Sequence, residues 1–144
     1  MKKIISLILV LVLVAGCNKE KIYKENLNGV WQVYKYLLRN VDKTLQFQNQ
    51  HPNYTITFTE SGEFTEFMTQ NPDTLIVTGT YSFADNDEKI VLHHTYFSYV
   101  IDSVGDTVSQ ISHIVERPYT IFNLTKDHVQ LRNDTSQLYL NKKL

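Results

Sequence analysis

The sequence predicts an all-β domain, an antiparallel up-and-down β-barrel of about eight strands, with a β-sandwich as the alternative. Three observations predict this fold class. From Gly29 onward, short runs alternate apolar and polar residues, which is the period of a half-buried strand. Turn residues such as Gly62, Pro72 and Gly105 separate these runs at hairpin spacing, and no stretch follows a helical period. Closing such a meander into a barrel removes its exposed edges.

The composition fits one folded domain and excludes several classes of partner. With 144 residues, 42% hydrophobic and 12% aromatic, the chain is long enough to bury a core. Its formal net charge of −1 argues against nucleic acid, which requires a basic surface, and against electrostatic docking on anionic lipid. The single cysteine, Cys17, excludes an internal disulfide and a metal cage built from cysteines.

The N-terminus has the pattern of a signal peptide. Two lysines precede an apolar segment, residues 4–15, that is shorter than the ~20 residues needed to span a membrane. The segment runs into Val14-Ala15-Gly16-Cys17, which resembles the lipobox of bacterial lipoproteins. The resemblance implies cleavage between Gly16 and Cys17 and acylation of Cys17. Residues 1–16 are therefore predicted to be the signal peptide.

Residues 17–26 are predicted to form a tether between the acylated cysteine and the folded domain, residues 27–144. The tether is polar and charged, which suits a short linker. Several acyl chains, each contributing ~0.8 kcal/mol per buried CH₂, would make the membrane a permanent partner. Asn18 replaces the aspartate that signals inner-membrane retention in enteric lipoproteins. It therefore favours the outer membrane and leaves the periplasmic or surface face open.

The strands of the body follow from alternation and from the turn residues between them. Arg117-Pro118 is expected to end one strand, and Gly79 to mark a bulge or bend. A long polar connection, residues 40–53, separates the first two strands and contains Leu45 and Phe47. The predicted strands are residues 30–38, 54–59, 64–69, 74–84, 89–101, 107–116, 119–124, 128–132 and 137–140.

Leu27-Asn28-Gly29-Val30-Trp31 resembles the Gly-x-Trp signature of lipocalins. The continuation, with YTITFTESG at residues 54–62 and GTYSF at residues 79–83, is similar to short bacterial lipocalin-like lipoproteins. The resemblance implies a barrel whose closed end is plugged by Trp31, with an arginine of a late strand, here Arg132, across the indole ring. It also implies that the connection after the first strand is a lid.

The chain departs from the lipocalin pattern in ways that bear on a ligand cavity. It lacks the family's central Thr-Asp-Tyr motif, its usual disulfide and much of its usual length. A shorter barrel can be filled by its own side chains, which is the alternative to an open cavity.

Alternation also places polar side chains on faces shared with apolar residues. The face of Trp31 carries Lys35, and the face of Ile90 carries His94. If these faces line a cavity, four side chains are the hypothetical polar contacts of a ligand, and a one-residue register slip would turn such side chains outward. They are Lys35, Tyr81, His94 and Tyr96.

No catalytic residue, metal site or cofactor is predicted. His93 and His94 are adjacent on a strand and point to opposite faces, so they cannot share a metal ion. The acidic turns at residues 85–88 and 102–106 lack the glycine and glutamate positions of a calcium loop. Hydrolase, phosphate-loop and dinucleotide motifs are missing.

The sequence therefore predicts a lipoprotein that is not an enzyme. Its predicted function is to bind a small hydrophobic or amphipathic ligand at the outer membrane. The alternative is an accessory or structural lipoprotein whose filled barrel binds a protein partner at the cell envelope.

Overall fold

A computed structural model shows the chain as a closed antiparallel barrel of eight strands, which confirms the predicted fold class. The structure describes residues 19–70, 73–101 and 107–143, with side chains for all of these except 70, 73, 96–101 and 107–111. Residues 1–18, which include the predicted signal peptide, the predicted lipobox and Asn18, lie outside the described residues.

Neighbouring strands in the sheet are also neighbours in sequence, and β1 pairs with β9 to close the barrel. A two-residue strand, β2, pairs only with the end of β1. The strands are β1 (Gly29–Leu38), β2 (Val41–Asp42), β3 (Thr55–Phe58), β4 (Glu63–Gln70), β5 (Asp73–Ala84), β6 (Lys89–Ile101), β7 (Thr107–Leu124), β8 (His128–Arg132) and β9 (Ser136–Lys142).

The prediction that Arg117-Pro118 ends a strand is wrong, because β7 runs unbroken from Thr107 to Leu124. The backbone N–H of Ile121 points toward β6 and donates to Glu88 O at 2.8 Å. Backbone N–H groups alternate along a strand, so the nitrogen of Pro118 faces the opposite side of β7. The β8 pairing described there reaches only to Thr120, so Pro118 interrupts no ladder on that side.

The predicted alternation of β1 holds only for its first half. Trp31 and Val33 are buried, but the register with β9 shifts between Val33 and Lys35. This bulge adds one residue and reverses the facing of everything after it. Tyr36 therefore packs against the core in place of Lys35.

Two helical segments depart from the predicted all-β body. Residues 19–27 form helix α1, although residues 19–26 were predicted to belong to a tether and Leu27 to the barrel domain; a Lys24–Glu20 pair at 2.9 Å, one turn apart, supports the helix. The connection after β1 contains helix α2 (Thr44–Gln50). The ladder between β1 and β3 stops at the pair of Gln32 and Thr55. The helix α2 begins beside the part of β1 that follows this pair, where Lys43 N–H donates to Tyr36 O at 2.9 Å. We call α2 the flap.

The two ends of the barrel differ. The end with the turns at residues 59–62, 85–88 and 125–127 is covered by α1, and we call it the closed end. The opposite end, which carries the turns at residues 39–40 and 133–135, is called the mouth. Large side chains fill the barrel toward the closed end, and those with almost no exposure are Leu27, Trp31, Phe58, Phe64, Ile90, Leu92, Leu131 and Leu140.

Trp31 plugs the closed end, but the predicted partner of its ring is wrong. The ammonium of Lys142 lies 5.3 Å from the centre of the Trp31 ring, while the Arg132 guanidinium lies 5.6 Å from the ring of Phe122. Both Arg132 and Phe122 are exposed. Arg132 follows Leu131 in β8, and because Leu131 is buried, alternation turns Arg132 outward. The Trp31 indole nitrogen donates to Leu27 O at 2.6 Å.

Gly79 was expected to mark a bulge or bend, and the register through it is continuous instead. It pairs with Phe64 on one side and His94 on the other. A Cβ atom there would collide with the His93 carbonyl and would lie 2.7 Å from the Phe64 ring. The glycine is therefore required by close approach of its neighbours, not by a turn.

Candidate functional site

A buried charge pair lies inside the barrel, toward the mouth from the filled half. Glu66 of β4 is 3% exposed, and Arg117 of β7 reaches it across the interior. The guanidinium donates two hydrogen bonds, from Nη2 to Oε2 at 2.6 Å and from Nη1 to Oε1 at 3.2 Å. Tyr54 donates its hydroxyl to Oε1 at 2.7 Å. The carboxylate thus accepts three hydrogen bonds inside the barrel.

The strand pattern places both partners inward. Glu66 alternates with Phe64 and Met68, which pack in the core, and Arg117 pairs in register with the buried Leu92. The guanidinium also lies over the Phe64 ring, 5.8 Å from its centre. His94 follows Leu92 on the inward face of β6, so it is a diagonal neighbour of Arg117 across the ladder.

The interior changes the acidity of these groups. Burial, followed by the charge of Glu66, raises the pKa of Tyr54 well above its usual value, so its hydroxyl remains a donor. Burial alone would lower the pKa of Arg117, but the hydrogen bonds and charge of Glu66 raise it. Burial, followed by the charge of Arg117, lowers the pKa of His94 from its usual 6.5, which favours a neutral imidazole.

Three buried side-chain nitrogens in the described part of the chain have no hydrogen-bond partner, namely Arg117 Nε, His94 Nδ1 and His51 Nδ1. Two of them belong to the cluster around Glu66, and the third lies at the end of the flap. A buried polar group without a partner costs about 1–3 kcal/mol. These atoms therefore mark where a bound molecule would gain hydrogen bonds.

The flap contacts this cluster, at Tyr54, through one aromatic side chain. Phe47 contacts Tyr36, His51 and Tyr54, with ring-centre distances of 4.8, 5.2 and 5.2 Å. No residue of α2 is buried, and Leu45 is 77% exposed. Phe47 is the one side chain of α2 that packs against the core, and it is only partly buried, so few apolar contacts hold the flap on the barrel.

A surface groove offers a second approach to Arg117. β8 pairs with β7 only as far as Thr120, and a groove of about 340 Å³ lies beyond that point, between the upper part of β7 and the β8–β9 turn. Arg117 lines the groove together with Asn133, and its side chain keeps 29% of its exposure. The charge pair is therefore buried at Glu66 and reachable at Arg117.

The residues predicted as ligand contacts are not brought together as one set. The β1 bulge turns Lys35 to the outside, where its ammonium lies 5.2 Å from the Tyr139 ring centre. Tyr81 points inward but belongs to the filled half, and its hydroxyl donates to Thr59 O at 2.7 Å. Burial, followed by the charges of Glu60 and Glu20, raises the pKa of Tyr81 to about 12. His94 lies beside the charge pair, and the side chain of Tyr96 lies outside the described residues.

The sequence interpretation missed Glu66 and Arg117. A signal existed for each, since Glu66 shares the apolar face of Phe64 and Met68, and Arg117 shares that of Tyr119 and Ile121. A charged residue on the buried face of an alternating strand is unusual unless it is paired. The mistaken strand end at Arg117-Pro118 hid the second signal.

Two properties of the described residues bear on the kind of site. Within these residues no three histidine, cysteine, aspartate or glutamate side chains are grouped to hold a metal ion. In the same part of the chain, no helix combines the length and apolar character required to cross a membrane.

Comparison with known proteins gives one match for the N-terminal segment and two for the fold. The family described as "Prokaryotic membrane lipoprotein lipid attachment site" matches residues 1–18. A lipocalin-like protein from Bacteroides uniformis has a similar structure, with a TM-score of 0.51 and 15% identity, covering 82% of this chain and 99% of that one. An uncharacterized protein from Bacteroides eggerthii gives a TM-score of 0.52 and 16% identity, over 81% and 99%. No curated protein matches the chain.

The fold and the attachment site define a class. The chain has a lipocalin-like fold on a closed eight-stranded barrel, and it carries a prokaryotic lipoprotein attachment site that anchors it in the cell envelope by lipid.

Proposed function

We propose that this lipoprotein binds a small amphipathic ligand, without an enzymatic step, between the flap and the Glu66–Arg117 pair. One observation carries the proposal: a polar cluster with unpartnered nitrogens lies beneath a helix that has no buried residue. The flap can be displaced at little cost, and the groove beside β7 leads to the same guanidinium. An apolar ligand tail would replace Phe47 against Tyr36 and Tyr54.

The charge balance of the cluster indicates which head group fits. Arg117 and Glu66 neutralise each other, so a second full charge would enter a site with no free counter-charge among the described cluster residues. Arg117 Nε can donate to a ligand oxygen, and neutral His94 can accept from a hydroxyl. A neutral head group that carries a hydroxyl or carbonyl therefore suits the site better than an anion.

Ligand binding is tested with the fluorescent amphiphile N-phenylnaphthylamine, followed by displacement with a fatty alcohol and with the matching fatty acid. We expect saturable binding, with the alcohol displacing the probe at lower concentration than the acid. Phe47→Ala should change the probe affinity because it removes the only flap ring in the cluster of aromatic contacts around Tyr54. Leu45→Ala on the same helix is the control and should not. Absence of saturable binding would overturn the proposal.

The outer membrane is the proposed site of anchoring, and Asn18 supports it. The test is fractionation of the inner and outer membranes of the native host, followed by detection of the lipoprotein. Wild type should band with the outer membrane, and Asn18→Asp should shift part of it to the inner membrane if the host reads the enteric signal. Recovery of wild type in the inner membrane alone would contradict this location.

A filled barrel that binds a protein partner is the second candidate. It is favoured by the close packing of the closed half and by an outward apolar pair, in which Phe67 is 36% and Ile76 is 58% exposed. The double substitution Phe67→Ser/Ile76→Ser separates the two candidates. It should leave probe binding unchanged if the ligand site is inside, and it should abolish a partner complex if the outer face is the binding surface.

A further inference from the structure

We infer that the closed end of the barrel, together with α1, faces the membrane, so that the mouth and the groove beside Arg117 point away from the bilayer that holds the anchor. The inference rests on the lipid anchor and on the packing of α1. It does not depend on the proposed ligand binding.

Helix α1 is docked on the barrel along its length. At the first described residue of the helix, Lys19 Nζ donates to Asn86 O at 2.6 Å in the β5–β6 turn. In its middle, the Tyr23 ring packs edge-on against Phe83, with ring centres 5.8 Å apart. At its end, Leu27 is fully buried and its carbonyl accepts the hydrogen bond of Trp31. The helix is therefore a fixed part of the closed end.

Because α1 lies only a short distance along the chain from the lipid anchor, its docking fixes the orientation of the barrel relative to the membrane. Cys17 precedes Lys19 by two residues, and two residues of chain span at most about 7 Å. The acyl chains begin at Cys17, so the start of α1 and the β5–β6 turn must lie close to the lipid surface. A free tether of ten residues would instead have a root-mean-square length of roughly 17 Å and would let the barrel rotate.

The opposite end is held at a distance from the same surface. β1 has ten residues, and at a rise of about 3.3 Å per residue and the usual tilt of a barrel strand it spans roughly 20–25 Å along the barrel axis. The turn at residues 133–135 lies at that far end, beside the groove that contains Arg117. A ligand would therefore be exchanged with the aqueous compartment and not directly with the anchoring leaflet.

Electrostatic attraction does not explain this orientation. The closed end mixes both signs of charge, as in the Lys89–Asp85 pair at 2.6 Å in the β5–β6 turn and the Lys24–Glu20 pair on α1. Such a surface has no strong preference for anionic lipid. We therefore assign the orientation to the rigid connection through α1, which salt does not weaken.

The test uses the full-length protein, acylated in a bacterial host and reconstituted in phosphatidylethanolamine/phosphatidylglycerol vesicles. Acylation consumes the thiol of the only cysteine, so one new cysteine can be labelled with a fluorophore. Glu88→Cys reports the closed end and Asp134→Cys the mouth; both positions are exposed acidic residues in turns. Nitroxide-labelled head groups should quench the fluorophore at position 88 several-fold more strongly than the one at position 134.

A linker variant supplies the matched control. A flexible insert of about 20 glycine and serine residues between Asn18 and Lys19, with a root-mean-square length of roughly 25 Å, leaves α1 in place but releases the orientation. We expect the difference between the two positions to persist in high salt and to disappear in the linker variant. Equal quenching without the insert, stronger quenching at position 134, loss of the difference in salt, or a difference that survives the insert would each overturn the inference.

Discussion

At the scale of single residues, the most informative feature is a buried ion pair in a barrel that is otherwise filled with apolar side chains. Removing two charges from water costs several kcal/mol per ion, and the attraction between them often does no more than offset that cost. Glu66 and Arg117 reduce the cost through two hydrogen bonds and a third from Tyr54. A pair that adds little stability is consistent with a role in binding.

The two members of this pair should respond differently to substitution. Arg117→Met leaves a carboxylate that is 3% exposed without its counter-charge, so we expect a loss of about 3 kcal/mol in the free energy of unfolding. Glu66→Gln leaves a guanidinium that is 29% exposed and can still bond the amide oxygen, so about 1–2 kcal/mol is expected. Urea unfolding of both variants measures which loss is larger. Equal losses of unfolding free energy would contradict the conclusion that Glu66 is more deeply buried than Arg117.

His94 should make the protein less stable in mild acid. Its pKa is lowered in the folded state, so the unfolded chain binds a proton more readily; the stabilisation is fully present above the unfolded value of 6.5 and is lost as pH falls from there through the lower folded-state pKa. We expect the free energy of unfolding to decrease as pH falls below 6.5 and His94→Gln to flatten that decrease. His93→Gln, on the outer face of the same strand, is the control for loss of an imidazole, and an unchanged slope in His94→Gln would refute the prediction.

Trp31 gives a direct optical test of which cation lies on its ring. Lys142→Met removes the ammonium near the indole, and it should cost about 1 kcal/mol and shift the fluorescence maximum. Arg132→Met should leave the emission unchanged, because its guanidinium lies over Phe122. Since the chain has one tryptophan, the emission reports this site alone. An emission shift in Arg132→Met but not in Lys142→Met would indicate that Arg132 lies over the indole ring, as the lipocalin resemblance implied.

At the scale of elements, local irregularities decided which side chains face inward. Strand alternation predicted the positions of most strands well, and His128–Arg132 matches its predicted bounds. It failed where one extra residue entered β1, because a shift by one position reverses the facing of each later side chain. It failed again at Pro118, because a proline is tolerated where its nitrogen has no strand to bond.

Gly79 of β5 lies between Phe64 of β4 and His94 of β6, and we expect that no side chain is tolerated at this position. Gly79→Ala places a methyl group against the His93 carbonyl in β6 and near the Phe64 ring in β4. Because a backbone atom cannot move aside as a side chain can, we expect a loss of about 3 kcal/mol in the free energy of unfolding, the upper end for overpacking. Thr78→Ala, at the exposed neighbouring position, is the control and should cost less than about 1 kcal/mol. Comparable losses in thermal or urea unfolding would argue against the close approach.

At the scale of the whole molecule, the closed barrel joins the ends of the chain. β1 and β9 are paired over most of their length, so the first and last strands complete each other. Closure pairs the first strand with the last, and α1 covers the closed end. Among the described pairings, β6 beyond His94 and β7 before Thr120 bond only to each other, so an edge remains on each of these strands toward the mouth. In the inferred orientation, the lipid anchor lies at the membrane, α1 follows it, and the mouth lies farthest from the bilayer.

The closure between β1 and β9 predicts cooperative unfolding. Trp31 lies in β1 and pairs in register with Lys142 of β9, so its environment depends on both ends of the chain. We expect urea unfolding of the non-acylated protein to give the same midpoint by tryptophan fluorescence and by far-ultraviolet circular dichroism. Refolding should take milliseconds to seconds, as is typical of β-proteins with long-range pairing. An earlier fluorescence midpoint would show that the closed end opens separately.

The sequence by itself determined the lipoprotein attachment site, the β-class and most of the strand positions. These depend on local composition and on a period of two residues, which neighbouring positions encode. Only the tertiary structure decided which charges meet inside. Glu66 and Arg117 are 51 residues apart, and the contact depends on strand order, barrel closure and the facing of each strand. The contact of Trp31 was also decided by the tertiary structure. Lys142, and not Arg132, lies over the indole ring because closure brings β9, not β8, beside β1.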